Sequence, residues 1–414
     1  MTSAPAAGRT YQWVLVGLLS LNFGIVFFDR NSINVLMPFI QPELRLSNTA
    51  IGNLASALSL SWALAGLFVG RLSDALGKRK IILVVAALIF SGASLLSGIA
   101  HTFAMLMAAR LLMGIAEGGV MPISQALVAA EVAPERRGLA MGAAQNFGAN
   151  LLGNFLAPIV LVAFATAFGW RNAFYLAAVP GFVLGLLMLW LIREPQIRKV
   201  AVADKGATLS FGAALALRNV WICVVLSILL VAFLVVFLAF MPVYLVQVRG
   251  MDKSVMSWLM SMWGLPSMLY AFLIPGSSDV VGRRPIVIAM GAASALIPVS
   301  ILLFDGGNVW PLFLMFILGA TVSGIYPIVM ATIPSETVPA SQLATVMGLT
   351  MGLGEIIGGV LSPSLAGWAA DEFGLRAIVW ILVGISVALC AFACGLTETA
   401  PAALRRRVPA LSSL

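Results

Sequence analysis

Twelve apolar stretches, each about as long as a bilayer is thick, leave this chain little choice of fold. They run over 12–39, 50–71, 80–100, 103–130, 138–166 and 172–192, then over 218–246, 254–277, 285–304, 309–333, 342–370 and 375–396. A helix needs ~20 apolar residues to cross the hydrocarbon core, where every backbone polar group must bond within its own segment, so each stretch predicts a transmembrane helix. Hydrophobic residues make up 61% of the 414 and charged residues only 10%, with a mean hydropathy of +1.05, which excludes a soluble domain. The fold class expected is an all-α polytopic membrane protein with 12 transmembrane helices in two pseudo-symmetric six-helix bundles. These are an N-terminal bundle over 1–192 and a C-terminal bundle over 218–397, joined by a cytoplasmic linker over 193–217 and followed by a basic cytoplasmic tail over 398–414. Arg9 precedes the first apolar stretch, yet no small-residue cleavage site follows, so that stretch is expected to be retained as a span.

In a soluble protein a net charge of +8 would suggest nucleic acid. Here the basic residues lie in short loops beside the spans, where they set topology and meet anionic lipid, so no nucleic-acid role is expected. Of the 24 Lys and Arg, seventeen fall on the face holding both termini and the linker, five on the other face and two inside spans. Both termini are therefore expected in the cytoplasm, with the chain in the plasma (inner) membrane. Cys223, Cys390 and Cys394 sit in apolar stretches with no metal or disulfide spacing and read as small core residues. Phosphate loops, metal-ligand clusters and nucleophile–base pairs are missing from the sequence, so neither an enzyme nor a bound cofactor or metal is expected.

The halves repeat each other at an offset of 205 residues: Asp74, Gly77, Gly114, Pro122, Pro134 and Pro158 fall on Asp279, Gly282, Gly319, Pro327, Pro339 and Pro363. Repeated bundles suit a carrier, because a site at their interface opens to alternate sides when one half rocks on the other. The loop from Gly70 to Lys80 resembles the Gly-x-Leu-x-Asp-x-x-Gly-Arg-Lys signature of the major facilitator superfamily, between the second and third spans, with an echo after the eighth. That resemblance implies the major facilitator fold. A glycine at a helix end permits close packing, and an aspartate facing helix termini and basic residues makes a charge latch that one rocking state breaks. Gly70, Asp74, Gly77, Arg79, Asp279 and Arg283 are accordingly expected to gate the conformational change.

Charges inside spans are a functional hypothesis by default. Asp29, Glu117 and Glu355 are the acids placed mid-span, and Arg30 and Arg110 the bases. At the repeat offset Asp29, Arg30, Arg110 and Glu117 face Leu234, Val235, Met315 and Val322, so the cluster belongs to one half only and is specialised. Arg110 and Glu117 lie two turns apart on one helical face with Gly114 between them, and the simplest arrangement brings all four charges together inside the first bundle. Desolvation disfavours a charged carboxyl and a neighbouring arginine favours it, so an acid with a movable cationic neighbour takes up and releases protons. Arginine keeps its charge and offers a planar fork to an organic anion.

Asp29-Arg30, together with Arg110-x-x-x-Gly114-x-x-Glu117-Gly118-x-x-x-Pro122 and Pro134-Glu135-Arg136, is similar to the anion:cation symporter family within that superfamily, most strongly over 12–142. The resemblance implies Asp29 and Glu117 as proton-coupling acids, Arg30 as ligand of the substrate carboxylate, Arg110 as the charge balancing the two acids, and Trp62 as an aromatic substrate contact. The chain departs from the family at Phe27, commonly tyrosine, and at Ser32, commonly asparagine. In the eleventh span Gly352, Glu355 and Gly359 share a face, making Glu355 a second protonation site or a substrate acceptor. Asn146, Asn150 and Asn154 form an i, i+4, i+8 amide stripe that either faces the cavity or joins helices. Trp263 and Tyr326 are candidate walls, and His101 is placed on an exposed loop. The function expected is import of a small organic anion, a carboxylate, by proton symport, driven by the proton gradient in a lipid bilayer and performed by a monomer. Two other readings are a proton-driven exporter of hydrophobic compounds and a non-transporting solute sensor.

Overall fold

The computed structural model describes residues 8–133, 136–194, 210–304 and 306–407. Twelve long helices coincide with the twelve apolar stretches: α1 (Arg9–Leu44), α2 (Asn48–Leu76), α3 (Arg79–Gly98), α4 (Phe103–Glu131), α5 (Arg137–Phe168), α6 (Trp170–Leu191), α7 (Arg218–Gln247), α8 (Lys253–Val281), α9 (Arg283–Leu303), α10 (Trp310–Thr337), α11 (Ser341–Phe373) and α12 (Arg376–Ala393). Among the described residues, eleven helices are long and apolar enough to cross a membrane. Short helices Phe211–Ala216 and Pro401–Arg407 flank the second set, and no strand occurs among the described residues. Part of the predicted linker (195–209) and the end of the tail (408–414) lie outside the described residues, as do Pro134 and Glu135.

Local chemistry sets the ends of the helices. Ser47 and Thr102 accept the backbone N–H of Ala50 and Met105 through their side chains, capping α2 and α4. Gly77 closes α2 at φ 64°, and its repeat mate Gly282 precedes α9 at φ 125°. A side chain at either position would be strained, so the signature glycine is a backbone requirement.

The repeat extends to irregularities with no sequence signature. α5 winds as a π-helix over Ala149–Leu156 and α11 does so over Gly354–Leu361, 205 positions on; α5 has a further π segment at Ala143–Phe147 and α10 one at Ile328–Thr332. Such segments interrupt the i→i−4 ladder and recur at functional sites.

By packing, the chain forms two compact units. Unit 1 comprises Met1–Val200 with Leu238–Gly264, and unit 2 comprises Ala201–Phe237 with Leu265–Leu414. The core of unit 1 is a continuous apolar cluster from α1, α3, α4 and α6, including Leu19, Leu83, Phe90, Met113, Leu127 and Leu184. Unit 2 has a smaller cluster in which Val220 and Val224 pack with Val346, Leu349 and Ala214. Cys223 is buried as the sequence suggests, whereas Cys390 is half-buried and Cys394 exposed.

Lipid supplies no hydrophobic force between helices, so glycine sets their closest approaches. A methyl on Gly114 would lie 1.9 Å from Ser61 Oγ and 2.6 Å from the Leu58 carbonyl, and one on Gly118 would lie 2.6 Å from the Trp62 carbonyl, which brings α4 hard against α2. Between α1 and α5 the same role falls to Gly148, where a methyl would meet the Ser20 carbonyl at 1.8 Å, and to Gly24 and Gly153.

Candidate functional site

Unit 1 brings Asp29, Arg30, Arg110 and Glu117 together, as the simplest reading of their spacing requires. Asp29, Arg110 and Glu117 are buried, at 0%, 0% and 2% exposure, while the Arg30 side chain keeps 20%. Arg30 Nη1 stands 3.8 Å from Glu117 Oε2, a loose ion pair. Its guanidinium lies 5.7 Å from the Phe27 ring centroid and 5.8 Å from that of Trp62, so two aromatic faces hold it without occupying its hydrogen-bond donors. Close contact of α2 with α4 at Gly114 and Gly118 is what carries Trp62 to this position.

Asp29 is held from α3, where Ser94 Oγ donates to Asp29 Oδ1 at 2.6 Å, and within α1 Ser32 Oγ donates to the Asp29 backbone carbonyl at 2.6 Å. Arg110 donates from Nη2 to Ser97 Oγ at 3.2 Å and feels the charges of Asp29, Glu117 and Arg30. The cluster is poorly satisfied for its burial. Asp29 Oδ2, both Glu117 oxygens, and Arg110 Nε and Nη1 have no hydrogen-bond partner. With both acids ionised the four charges sum to zero, which lowers the cost of holding them in apolar surroundings; a lone charge there costs ~3 kcal/mol on insertion scales.

The amide stripe of α5 is turned largely onto its own helix. Asn146 donates to the Gly142 carbonyl at 3.3 Å, Asn150 to the Asn146 carbonyl at 2.9 Å, and Asn154 to Asn150 Oδ1 at 3.0 Å. These side chains take up carbonyls that π-winding draws away from their i+4 amides. The ladder ends on α1, where Asn31 Nδ2 donates to Asn154 Oδ1 at 2.9 Å and to the Gly153 carbonyl at 3.0 Å. Beside it lies a small recess walled by Asn31, Asn34, Asn154, Leu238, Met260 and Trp263, all within unit 1.

In unit 2, Tyr326 donates its hydroxyl to Glu355 Oε1 at 3.3 Å, which places these two candidates side by side. Glu355 lies in the first turn of the π segment of α11, whose Gly354 and Gly358 face Ser227 and the Ile228 carbonyl on α7. Among the gating candidates, Arg79 Nη1 donates to the Ala126 carbonyl on α4 at 3.3 Å. Asp279 pairs with Arg283 one turn later. Positions 70 and 74 fall in the last turns of α2, and the side chain of Asp74 lies outside the described ones.

Two acids that the sequence reading did not single out complete the network at Arg283. Glu336 binds the guanidinium at 2.8 Å, and Glu398 accepts the backbone N–H of Arg283 at 2.7 Å and of Arg284 at 3.2 Å, capping α9. In unit 1, Glu194 Oε1 caps α3 in the same way through the Lys80 N–H at 3.2 Å. The repeat carried the signal for one of them, since Glu336 is Glu131 displaced by 205.

Two repeated sets of apolar helices, with glycine-closed loops at equivalent places and a neutral cluster of charges shut inside one of them, define a membrane solute carrier. Residues 19–357 match the Major Facilitator Superfamily, and the chain belongs to that superfamily. Among curated relatives it is 24% identical over 406 residues to the probable sulfoacetate transporter SauU of Cupriavidus necator, covering 92% of each chain. It is also 27% identical over 356 residues to the multidrug resistance protein MdtL of Salmonella typhimurium, covering 85% of this chain and 87% of MdtL. Among solved structures, a variant of the nucleoside transporter NupG superposes with a TM-score of 0.76 at 18% identity, covering 92% of this chain and 100% of that one. The fold is thus that of a transporter, not an enzyme, in an integral multi-pass membrane protein.

Proposed function

We propose that the protein imports a small organic anion by proton symport, as a member of the anion:cation symporter branch of the superfamily. The observation that carries this reading is Arg30. It is the partly exposed member of an otherwise buried charge cluster, held over Phe27 and Trp62, and only loosely paired with Glu117 at 3.8 Å. A guanidinium in that position retains donors for a carboxylate or sulfonate. Asp29 and Glu117 are the proton carriers and Arg110 balances their charge. Anion capture by Arg30 loosens its hold on Glu117, which then takes a proton, and the neutral assembly rocks. The energy comes from the proton gradient, with no cofactor, and a single chain performs the cycle.

The resemblance to SauU supports an anionic substrate and puts sulfoacetate, a small carboxylate that also bears a sulfonate, at the head of the panel to test. The test is uptake by purified protein in liposomes with an acid-outside gradient, using sulfoacetate and a set of small carboxylates and sulfonates. Accumulation of one anion, lost in Asp29→Asn and in Arg30→Ala, is the expected result. Expulsion of apolar compounds with no anion accumulated would replace this reading with the exporter that the likeness to MdtL brings to mind.

A further inference from the structure

The unpartnered polar atoms of unit 1 do not stop at the four charges. Asn22 on α1 is fully buried, and neither its amide nitrogen nor its oxygen has a hydrogen-bond partner; Ser124 on α4 is 1% exposed and its hydroxyl is likewise unpartnered. Both are set in the apolar core, Asn22 between Leu19 and Ile25 and Ser124 between Ile123 and Leu127. An amide and a hydroxyl without protein partners inside such a core are the groups that buried water satisfies.

Their register is what gives them a role. Asn22 precedes Asp29 by seven residues, and Ser124 follows Glu117 by seven. Seven residues are two turns, so Asn22 shares a helix face with Asp29, ~10 Å along the axis; Ser124 lies about as far beyond Glu117, past the turn at Gly119 that interrupts α4. Odd and even spans of a polytopic bundle run antiparallel, so these two steps go in the same direction. α1 and the second half of α4 pack together, and Asp29 and Glu117 interact across that seam. Asn22 and Ser124 therefore stand at one level, closer to the end of unit 1 that carries Arg9, Lys80 and Arg193. At that end the Tyr11 hydroxyl accepts the Arg193 N–H at 2.8 Å.

We propose that Asn22 and Ser124 hold a short file of buried water between α1 and α4, and that this file is a proton path from Asp29 and Glu117 to the end of unit 1 that bears the N-terminus. The proposal rests on the reading of those acids as proton carriers and assigns their protons a route apart from the one the anion takes past Arg30. An amide and a hydroxyl each donate and accept, so both can orient water while a proton passes and neither has to change charge. The charged groups facing the file are Asp29, Arg30, Arg110 and Glu117 at its inner end, and Arg79, which donates to the Ala126 carbonyl, with Glu131 and Arg193 beside Tyr11 at its outer end.

The test follows carboxyl protonation in the full-length protein by time-resolved infrared spectroscopy after a rapid drop in pH. The carbonyl band of the protonated acids is assigned by its loss in Asp29→Asn and Glu117→Gln. In the near-isosteric double variant Asn22→Leu/Ser124→Val the band should reach its native amplitude at least tenfold more slowly. Asn22→Gln and Ser124→Thr, which keep the polar groups, should retain the native rate, a distinction that a merely structural role would not produce. Ser124→Val alone should slow the band in the same direction if the double variant does not assemble. An unchanged rate, with the band present, overturns the path and leaves the acids as carriers. A spectrum in which neither acid contributes a band overturns both.

Discussion

The seam between α1 and α5 makes the sharpest mechanical prediction, through Gly148→Ala. A methyl at this position would sit 1.8 Å from the Ser20 carbonyl oxygen, with the Gly24 nitrogen 3.0 Å away. Both neighbours are backbone, so no side chain can swing aside. Restoring an ordinary carbon–oxygen contact of ~3.2 Å requires the helices to part by roughly 1.4 Å. The bond from Asn31 to Asn154, 2.9 Å long on the same seam, would then exceed hydrogen-bonding distance. Overpacking costs about 1–3 kcal/mol, and each lost interhelical bond in a membrane about 0.6 kcal/mol more. Thermal unfolding of the detergent-solubilised protein should fall by several degrees, and anion uptake should fall with it because α1 carries Asp29 and Arg30. Gly92→Ala is the control: nothing lies within 4 Å of the added methyl there, so stability should hold or rise slightly. Equal melting of Gly148→Ala and native protein would refute the claim that glycine sets this approach.

Two further outcomes follow from the site and its supports. Trp62→Ala removes one of the aromatic faces beside Arg30. It should weaken anion binding about fivefold, or ~1 kcal/mol, with the proton dependence of uptake kept, as a titration of transport against substrate would show. Glu398→Ala leaves the first amides of α9 without their acceptor and removes a carboxylate beside Arg283. A loss of about 1–2 kcal/mol in chemical denaturation is expected, with Glu398→Gln intermediate because it still accepts but carries no charge.

Much of this molecule was legible in its residues, and the reason is the solvent. A bilayer forces each span to announce itself by length and apolarity, so the all-helical fold followed from hydropathy, with eleven helices among the described residues long and apolar enough to cross. The same solvent makes embedded charges rare, which is why Asp29, Arg30, Arg110 and Glu117 stand out; spacing puts Arg110 and Glu117 on one face, and the simplest arrangement brings Asp29 and Arg30 to them. Other features lay beyond sequence rules. The π-windings at Ala149–Leu156 and Gly354–Leu361 arise from packing of whole helices and leave no composition signal. Glu398 sits near a span end, where acids are common, so nothing in the sequence marks it as a partner of Arg283, whereas Glu336 is legible only through its repeat mate Glu131. Asn22 passed as one polar residue in a long apolar run. The role proposed for it depends on Ser124, 102 positions away, and on both being sealed from solvent.

Under the proposed symport, the balance of two arginines against two carboxyls would itself couple anion to proton. A cluster that is neutral at rest tolerates a closed, dry interior, but an anion arriving alone leaves it one charge short, and a proton arriving alone leaves it one over. Either imbalance must be carried through a region of low dielectric, where uncompensated charge is most expensive. The half-loaded carrier is therefore the form least able to close. In the proposed symport, obligatory coupling would need no separate lock: electroneutrality of the occluded state would select the empty and the fully loaded forms. A dianion calls for both carboxyls to be protonated where a monoanion calls for one, so the proton count becomes a property of the cargo.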